Sequence, residues 1–223
     1  MFKQFQEALN SGQLQDIIAS TVGQILIALI AVILLIVVLA IGGKSNKMKT
    51  KELVYCSMAI AIAMVLSQIK LVKLPQGGSI TPFSMLFIVL IGYWFGVTKG
   101  IICGVAYGFF QLAIGGWVVH PIQLLLDYPL AFGALGLAGV FKNSSNGLLK
   151  GLVLGAGGRF FFHFITGIVF FASYAKEVGF DTVPYSFAYN ISYIAGEVFL
   201  TILILIIPAV GSAMNQIKAR ATA

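Results

Sequence analysis

The chain has 223 residues, of which 59% are hydrophobic and only 9% charged, with a net charge of +7. A soluble domain of this length needs far more charged surface, and a nucleic-acid binder needs a basic stripe that this sequence lacks. The bilayer is the solvent that suits such a composition.

The first long apolar run covers Thr21 to Ile41. It is preceded by Lys3, Glu7 and Asp16 and followed by Lys44, Lys47, Lys49 and Lys51, the reverse of a cleavable signal peptide's charge order. It reads as a retained helix with its N-terminus outside. The run is aliphatic, with no glycine between Gly23 and Gly42 and no polar group after Gln24, so it is expected to be a peripheral, lipid-facing addition. A basic linker, Gly42 to Lys51, separates it from the remainder. Two units are therefore expected, an N-terminal segment 1–51 and a membrane core 52–223.

Breaks at glycine, proline and charge clusters divide the core into six further spans, near 53–69, 82–97, 100–115, 121–140, 150–172 and 186–209. With the lysines after the first helix placed inside, the inner segments hold Lys44, Lys47, Lys49, Lys51, Lys99, Lys142, Lys150, Lys218 and Arg220. The outer segments hold only Lys3, Lys70, Lys73 and Lys176. This asymmetry satisfies the positive-inside rule and predicts an all-α, multi-pass protein of the cell membrane, with seven spans, the N-terminus out and the C-terminus in. Gly96, Gly100, Gly104 and Gly108 recur every fourth residue and predict a helix face that a neighbour approaches closely. Cys56 and Cys103 make neither a disulfide framework nor a metal site and read as small hydrophobes.

Polar groups inside spans are costly and ask for a function. At ~1.5 Å per residue, Asp127, His163 and Asn190 lie ~6–13 Å below their outer helix ends and are expected to converge in the outer half of the bilayer. Arg159 and Glu197 lie near mid-membrane, and their matching depth and opposite charge predict a buried ion pair outside any ligand pocket. Asp127 has no evident cation by helix spacing. A carboxylate left unpaired near an outer opening suits a cationic ligand. Trp117, His120, Phe170, Phe171, Tyr174, Tyr185 and Tyr189 surround the same level, although interfacial aromatic belts account for some of them. Tyr185 and Asn190 lie ~140° apart around a helix, so an irregular turn is expected if both are to flank one pocket.

Four stretches carry a resemblance: LPQGGSIT (Leu74–Thr81), HPIQLLLDYPLAFGALGLAG (His120–Gly139), GRFFFHFITGIVFF (Gly158–Phe171) and YSFAYN (Tyr185–Asn190). In order and spacing the chain resembles the thiamine-specific substrate-binding (S) component of energy-coupling factor transporters. The resemblance implies a six-helix membrane bundle, with the first helix added to it, and a thiamine pocket. By resemblance that pocket includes Asp127 with Tyr128, His163, Tyr185 with Asn190, and stacking positions at Trp117 and Phe171. Better-known members often carry Glu and Trp where this chain has Asp127 and Phe171. The resemblance also implies partners, a transmembrane coupling subunit and two ATPase subunits, with Ala59 and Ala63 as an external docking face for the former. Thiamine enters as transported substrate, and no cofactor is expected.

The chemistry fits on its own terms. Thiazolium is a permanent cation, for which a carboxylate and aromatic faces are suitable partners, and the aminopyrimidine offers donors and acceptors to His163, Tyr185 and Asn190. No G-x-x-x-x-G-K-[ST] occurs, so the chain cannot itself hydrolyse ATP by a P-loop and the energy must come from elsewhere. The rivals are a binding component for another vitamin, such as riboflavin or biotin, and an intramembrane hydrolase using His163 with Asp127 or Ser79. The first lacks a reason for Asp127; the second lacks a partnered base.

Overall fold

In the computed structural model, the described residues are 2–11, 17, 20–26, 29, 33 and 48–223. Most of the expected first span, Thr21 to Ile41, and residues 42–47 of the basic linker after it lie outside the described residues. The described part begins with a short helix, α1 (Phe2–Ser11). From α2 (Thr50–Gln68) onward the chain is a helical bundle interrupted by one small hairpin, β1 (Val72–Lys73) pairing antiparallel with β2 (Ser79–Ile80). Then come α3 (Ser84–Phe95), α4 (Val97–Gly115), α5 (Pro121–Phe141), α6 (Gly147–Phe170), α7 (Ala172–Glu177), α8 (Thr182–Leu205) and α9 (Pro208–Thr222).

Five of these helices, α2, α4, α5, α6 and α8, are long and apolar enough to cross a membrane. The remaining expected core span, 82–97, is the twelve-residue α3, only ~18 Å long at 1.5 Å per residue. Its length is explained by its place. Met85, Ile88, Val89 and Ile91 are fully buried, so α3 is the central core helix and meets little lipid. It ends at Gly96, whose φ of +97° turns the chain directly into α4.

The glycine stripe on α4 is used as its spacing predicts, from Gly100 onward. A Cβ on Gly100 would come within 2.8 Å of the Gly136 Cα; one on Gly104 would lie 2.3 Å from the Phe132 carbonyl, and one on Gly108 2.5 Å from the Tyr128 carbonyl. Bare backbone on α4 therefore lets α5 lie against it for most of its length, up to the residue beside Asp127. Cys56 and Cys103 are buried free thiols, as expected of small hydrophobes.

One end of the bundle gathers five basic residues, Lys51, Lys99, Lys142, Lys218 and Arg220. Lys99 pairs with Glu52, the Lys51 ammonium donates to the Arg220 carbonyl at 2.5 Å, and the Lys218 ammonium donates to the Lys142 carbonyl. Lys218 also lies over the Tyr93 ring, 3.8 Å from its centre. These contacts strap α9 across the ends of α2 and α5.

Two expectations are corrected here. Ala59 and Ala63 do not form an external face: they are 6% and 0% exposed and belong to the hydrophobic core. The residues α2 leaves open on its other side include Met58, Ile62 and Val65. Small side chains four apart mark a close approach, and on this helix the approaching neighbours are the bundle's own α3 and α4. Arg159 and Glu197 do not pair. The Arg159 guanidinium lies 4.4 Å from the centre of the Phe132 ring, and its Nε donates to His163 Nε2 at 3.4 Å. Glu197 is instead held by hydrogen bonds. It accepts from Thr81 Oγ1 at 2.6 Å, from Ser84 Oγ at 2.9 Å and from the Met85 backbone N–H at 2.8 Å. Three donors at the positive N-terminus of α3 compensate a buried carboxylate without a cation.

Candidate functional site

A cavity of about 460 Å³ opens among the hairpin, α4, α5, α6 and α8. Every residue expected at the pocket lines it: Trp117, Asp127, Tyr128, His163, Phe171, Tyr185 and Asn190. Arg159 and Glu197, expected to stand apart from it, line it as well.

Asp127 and Tyr128 owe their placement to a break in α5. Leu126–Leu130 forms a wide π-turn with Pro129 inside it. Proline has no N–H to donate back along the helix, so the normal ladder fails there, and the extra residue re-aims the side chains just before it. Asp127 is thereby turned toward α6 and is 7% exposed. Its Oδ1 lies 3.0 Å from His163 Nδ1 and accepts from Thr166 Oγ1 at 2.5 Å; its Oδ2 accepts from Gln123 Nε2 at 2.7 Å. The carboxylate expected to be unpaired is thus firmly held.

Asn190 reaches the same cluster because α8 lies close to α6 at Gly167, where a Cβ would stand 2.1 Å from Ser186 Oγ. The Asn190 amide donates to the His163 carbonyl at 3.1 Å and to the Ser186 carbonyl at 2.8 Å, while its Oδ1 accepts from the Tyr193 hydroxyl at 2.9 Å. The irregular turn expected between Tyr185 and Asn190 does not exist, since both stand on the continuous helix α8. Tyr185 spans the angular gap by its length. Its hydroxyl donates to Gln76 Oε1 at 3.1 Å, in the hairpin turn. Next to it Tyr189 stacks on Tyr185, and its hydroxyl donates to the Pro75 carbonyl and accepts from the Gly78 N–H at 2.8 Å. Two tyrosines of α8 therefore hold the hairpin over the cavity.

At the other rim, Trp117 is 47% exposed, with its backbone N–H donating to the Tyr128 hydroxyl at 2.6 Å. Phe171 stacks on Tyr174, their ring centres 6.1 Å apart. His120 stacks on Phe170 at 5.1 Å and caps the start of α5, accepting from the Ile122 N–H at 3.2 Å.

A count of hydrogen-bonding capacity defines what remains for a ligand. The ring nitrogens of His163 are both engaged, one with Asp127 and the other with Arg159. With Arg159 donating to Nε2, the network assigns the proton of a neutral ring to Nδ1, facing the carboxylate. A carboxylate has about four acceptor positions, and three on Asp127 are filled, leaving one on Oδ2. Asn190 Oδ1 and the Tyr185 oxygen each retain an acceptor position as well. Around Asp127 the open capacity is acceptor-rich, beside several ring faces, while the Arg159 guanidinium lines the same cavity beyond His163. Such a wall favours a cationic, donor-bearing ligand with flat rings.

The comparisons with known proteins agree on one family. Residues 53–216 match the model of the thiamine transporter protein family (Thia_YuaJ). The chain belongs to the thiamine transporter family. It is 32% identical over 170 residues to the thiamine transporter ThiT of Bacillus subtilis, covering 69% of this chain and 88% of that one. It is 28% identical over 140 residues to ThiT of Lacticaseibacillus paracasei, covering 55% of this chain and 69% of that one. A solved structure of ThiT from Listeria monocytogenes superposes with a TM-score of 0.64 over 73% of this chain and 96% of that one, at 24% identity. That likeness establishes the fold. Membership, together with five spanning helices, makes this a multi-pass membrane protein of a transporter family and not an enzyme.

Sequence reasoning did not find Gln123, Thr166, Tyr193 or Gln76. Three carried a signal, because Gln123 precedes Asp127 by four residues, Thr166 follows His163 by three and Tyr193 follows Asn190 by three. Each shares a helix face with the residue it serves. Gln76 had no such signal, because a hairpin turn brings it to Tyr185 across 109 residues.

Proposed function

We propose that the cavity captures thiamine, and that the protein is the substrate-binding component of an ATP-driven energy-coupling factor transporter. Asp127 faces the ligand's positive charge, and Asn190 and Tyr185 accept from its amino group. Tyr128, Trp117 and Phe171 supply ring faces, and His163 holds the carboxylate in place. The observation that carries the reading is the acceptor-rich wall centred on Asp127, in a chain of the thiamine transporter family. Riboflavin and biotin carry no fixed cation and would leave that carboxylate without a counterpart.

In this reading residues 1–51 are an added segment bearing a seventh span, and residues 52–223 are the thiamine-binding core. The N-terminus lies outside and the C-terminus inside, supported by the excess of Lys and Arg in the inner segments and by the basic cluster of Lys51, Lys99, Lys142, Lys218 and Arg220 at one end of the bundle. In this reading a transmembrane coupling subunit and two ATPases supply the energy, since this sequence holds no G-x-x-x-x-G-K-[ST] motif of its own. Thiamine is the transported substrate and plays no cofactor role. Calorimetric titration of the purified protein with thiamine, riboflavin and biotin tests the pocket. Saturable one-to-one binding of thiamine alone supports the assignment, and tighter binding of either neutral vitamin overturns it.

A further inference from the structure

Gln123 is 1% exposed and uses its whole side-chain amide inside the protein. Its Nε2 donates to Asp127 Oδ2 at 2.7 Å and to the Trp117 carbonyl at 3.0 Å, and its Oε1 accepts from the Val119 N–H at 3.1 Å. Two acceptors on the nitrogen side and one donor on the oxygen side fix the amide's orientation without ambiguity. No other residue of the protein joins Asp127 to the outer loop 116–120 among the described contacts.

The position of this amide is chemically specific. The other two partners of Asp127, His163 and Thr166, both lie on α6 and both bind Oδ1. Gln123 alone binds Oδ2, the oxygen that keeps an acceptor position for a ligand. It therefore determines how the carboxylate plane is rotated and where that remaining lone pair points. The geometry points to Gln123 as a positioning residue for the cation-binding carboxylate, one that also ties the loop bearing Trp117 to the same oxygen. This inference rests on the reading that Asp127 faces thiamine.

Replacement of Gln123 by Met keeps the length and removes the donors. Replacement by Glu keeps the shape and makes the donor conditional on a proton. A protonated carboxyl at 123 donates one hydrogen bond to Asp127, whereas an ionised one places two carboxylates at contact distance. The surrounding groups Arg159, His163, Tyr128 and Tyr193 are common to mutant and wild type, so the ratio of their dissociation constants isolates the introduced group.

The experiment measures thiamine binding by wild type, Gln123→Met, Gln123→Glu and Asp127→Asn in detergent, with monodispersity and melting temperature recorded for each. Gln123→Met is expected to weaken binding by about 10- to 100-fold. For Gln123→Glu, the ratio to wild type is expected to be smallest at about pH 5, where the protonated carboxyl still donates to Asp127 but no longer to the Trp117 carbonyl, and to rise by at least about tenfold by about pH 8, because the neighbouring carboxylate and burial hold the new proton into that range. The pH arm needs only Gln123→Glu and wild type, so it decides the matter even if Gln123→Met fails to fold. A ratio that is independent of pH, or that falls as pH rises because the added carboxylate merely attracts the cation, overturns the proposal. Weakened binding in Asp127→Asn with unchanged binding in both Gln123 variants overturns it too, while leaving the thiamine reading standing. No thiamine binding by wild type overturns both.

Discussion

Asp127 and His163 meet at 3.0 Å, carboxylate Oδ1 to ring Nδ1, although one stands in the π-turn of α5 and the other on the continuous helix α6. The contact explains how a carboxylate sits in an apolar bundle without a full countercharge. Hydrogen bonds from His163, Thr166 and Gln123 replace most of its water shell and leave one acceptor position. A cationic ligand then gains a charge-assisted contact while displacing little of that network.

Asp127→Asn removes the charge at nearly constant size. Thiamine binding is expected to weaken by on the order of 1.5–3 kcal/mol, the range for hydrogen bonds to charged groups. Titration calorimetry checks this, with retention of the wild-type elution profile as the control for folding.

Glu197 is held by three donors and not by Arg159, so the two residues are expected to behave independently. Glu197→Leu strands the Met85 N–H and leaves the Thr81 and Ser84 hydroxyls, 2.8 Å apart, only each other at the start of α3, and a loss of about 1–3 kcal/mol in stability is expected from the unsatisfied buried donors. Exchanging the two charges, Arg159→Glu with Glu197→Arg, is expected to be worse than either single change. Recovery of the melting temperature in the exchanged protein would restore the ion pair that the geometry denies.

Ala63→Trp places a large ring at a position with 0% exposure, beneath the Tyr107 hydroxyl that donates to the Ala63 carbonyl at 3.4 Å. Overpacking of this severity costs about 1–3 kcal/mol or more. Folding and thiamine binding should fail together in the isolated protein. A mutant that folds and binds normally would put Ala63 on the outside after all.

Gly108 separates α4 from the turn that carries Asp127, and a Cβ there would meet the Tyr128 carbonyl at 2.5 Å. Backbone cannot step aside as a flexible side chain does. Gly108→Ala is therefore expected to displace the π-turn and to reduce thiamine affinity more than Gly115→Ala, whose Cβ meets nothing within 4 Å. Equal affinities in the two variants would show that α5 tolerates the shift.

The sequence by itself determined the solvent, the core helix limits to within a few residues, the glycine-lined contact of α4 and the polar residues that gather at one cavity. These are properties of local pattern. Apolar length selects a bilayer, spacing by four selects a helix face, and a polar group among apolar neighbours stands out because its burial is costly. Pairing is different, because it depends on how helices are rotated and where a helix is broken. Arg159 and Glu197 match in depth, yet rotation turns one toward Phe132 and His163 and the other toward the N-terminus of α3. Ala59 and Ala63 have the spacing of a docking stripe, and only the neighbours of α2 decide that the stripe faces inward. The Tyr185–Gln76 contact joins residues 109 apart through a hairpin turn. Spacing along one helix constrains depth and face, whereas the partner across a gap is set by the tertiary packing of every helix around it.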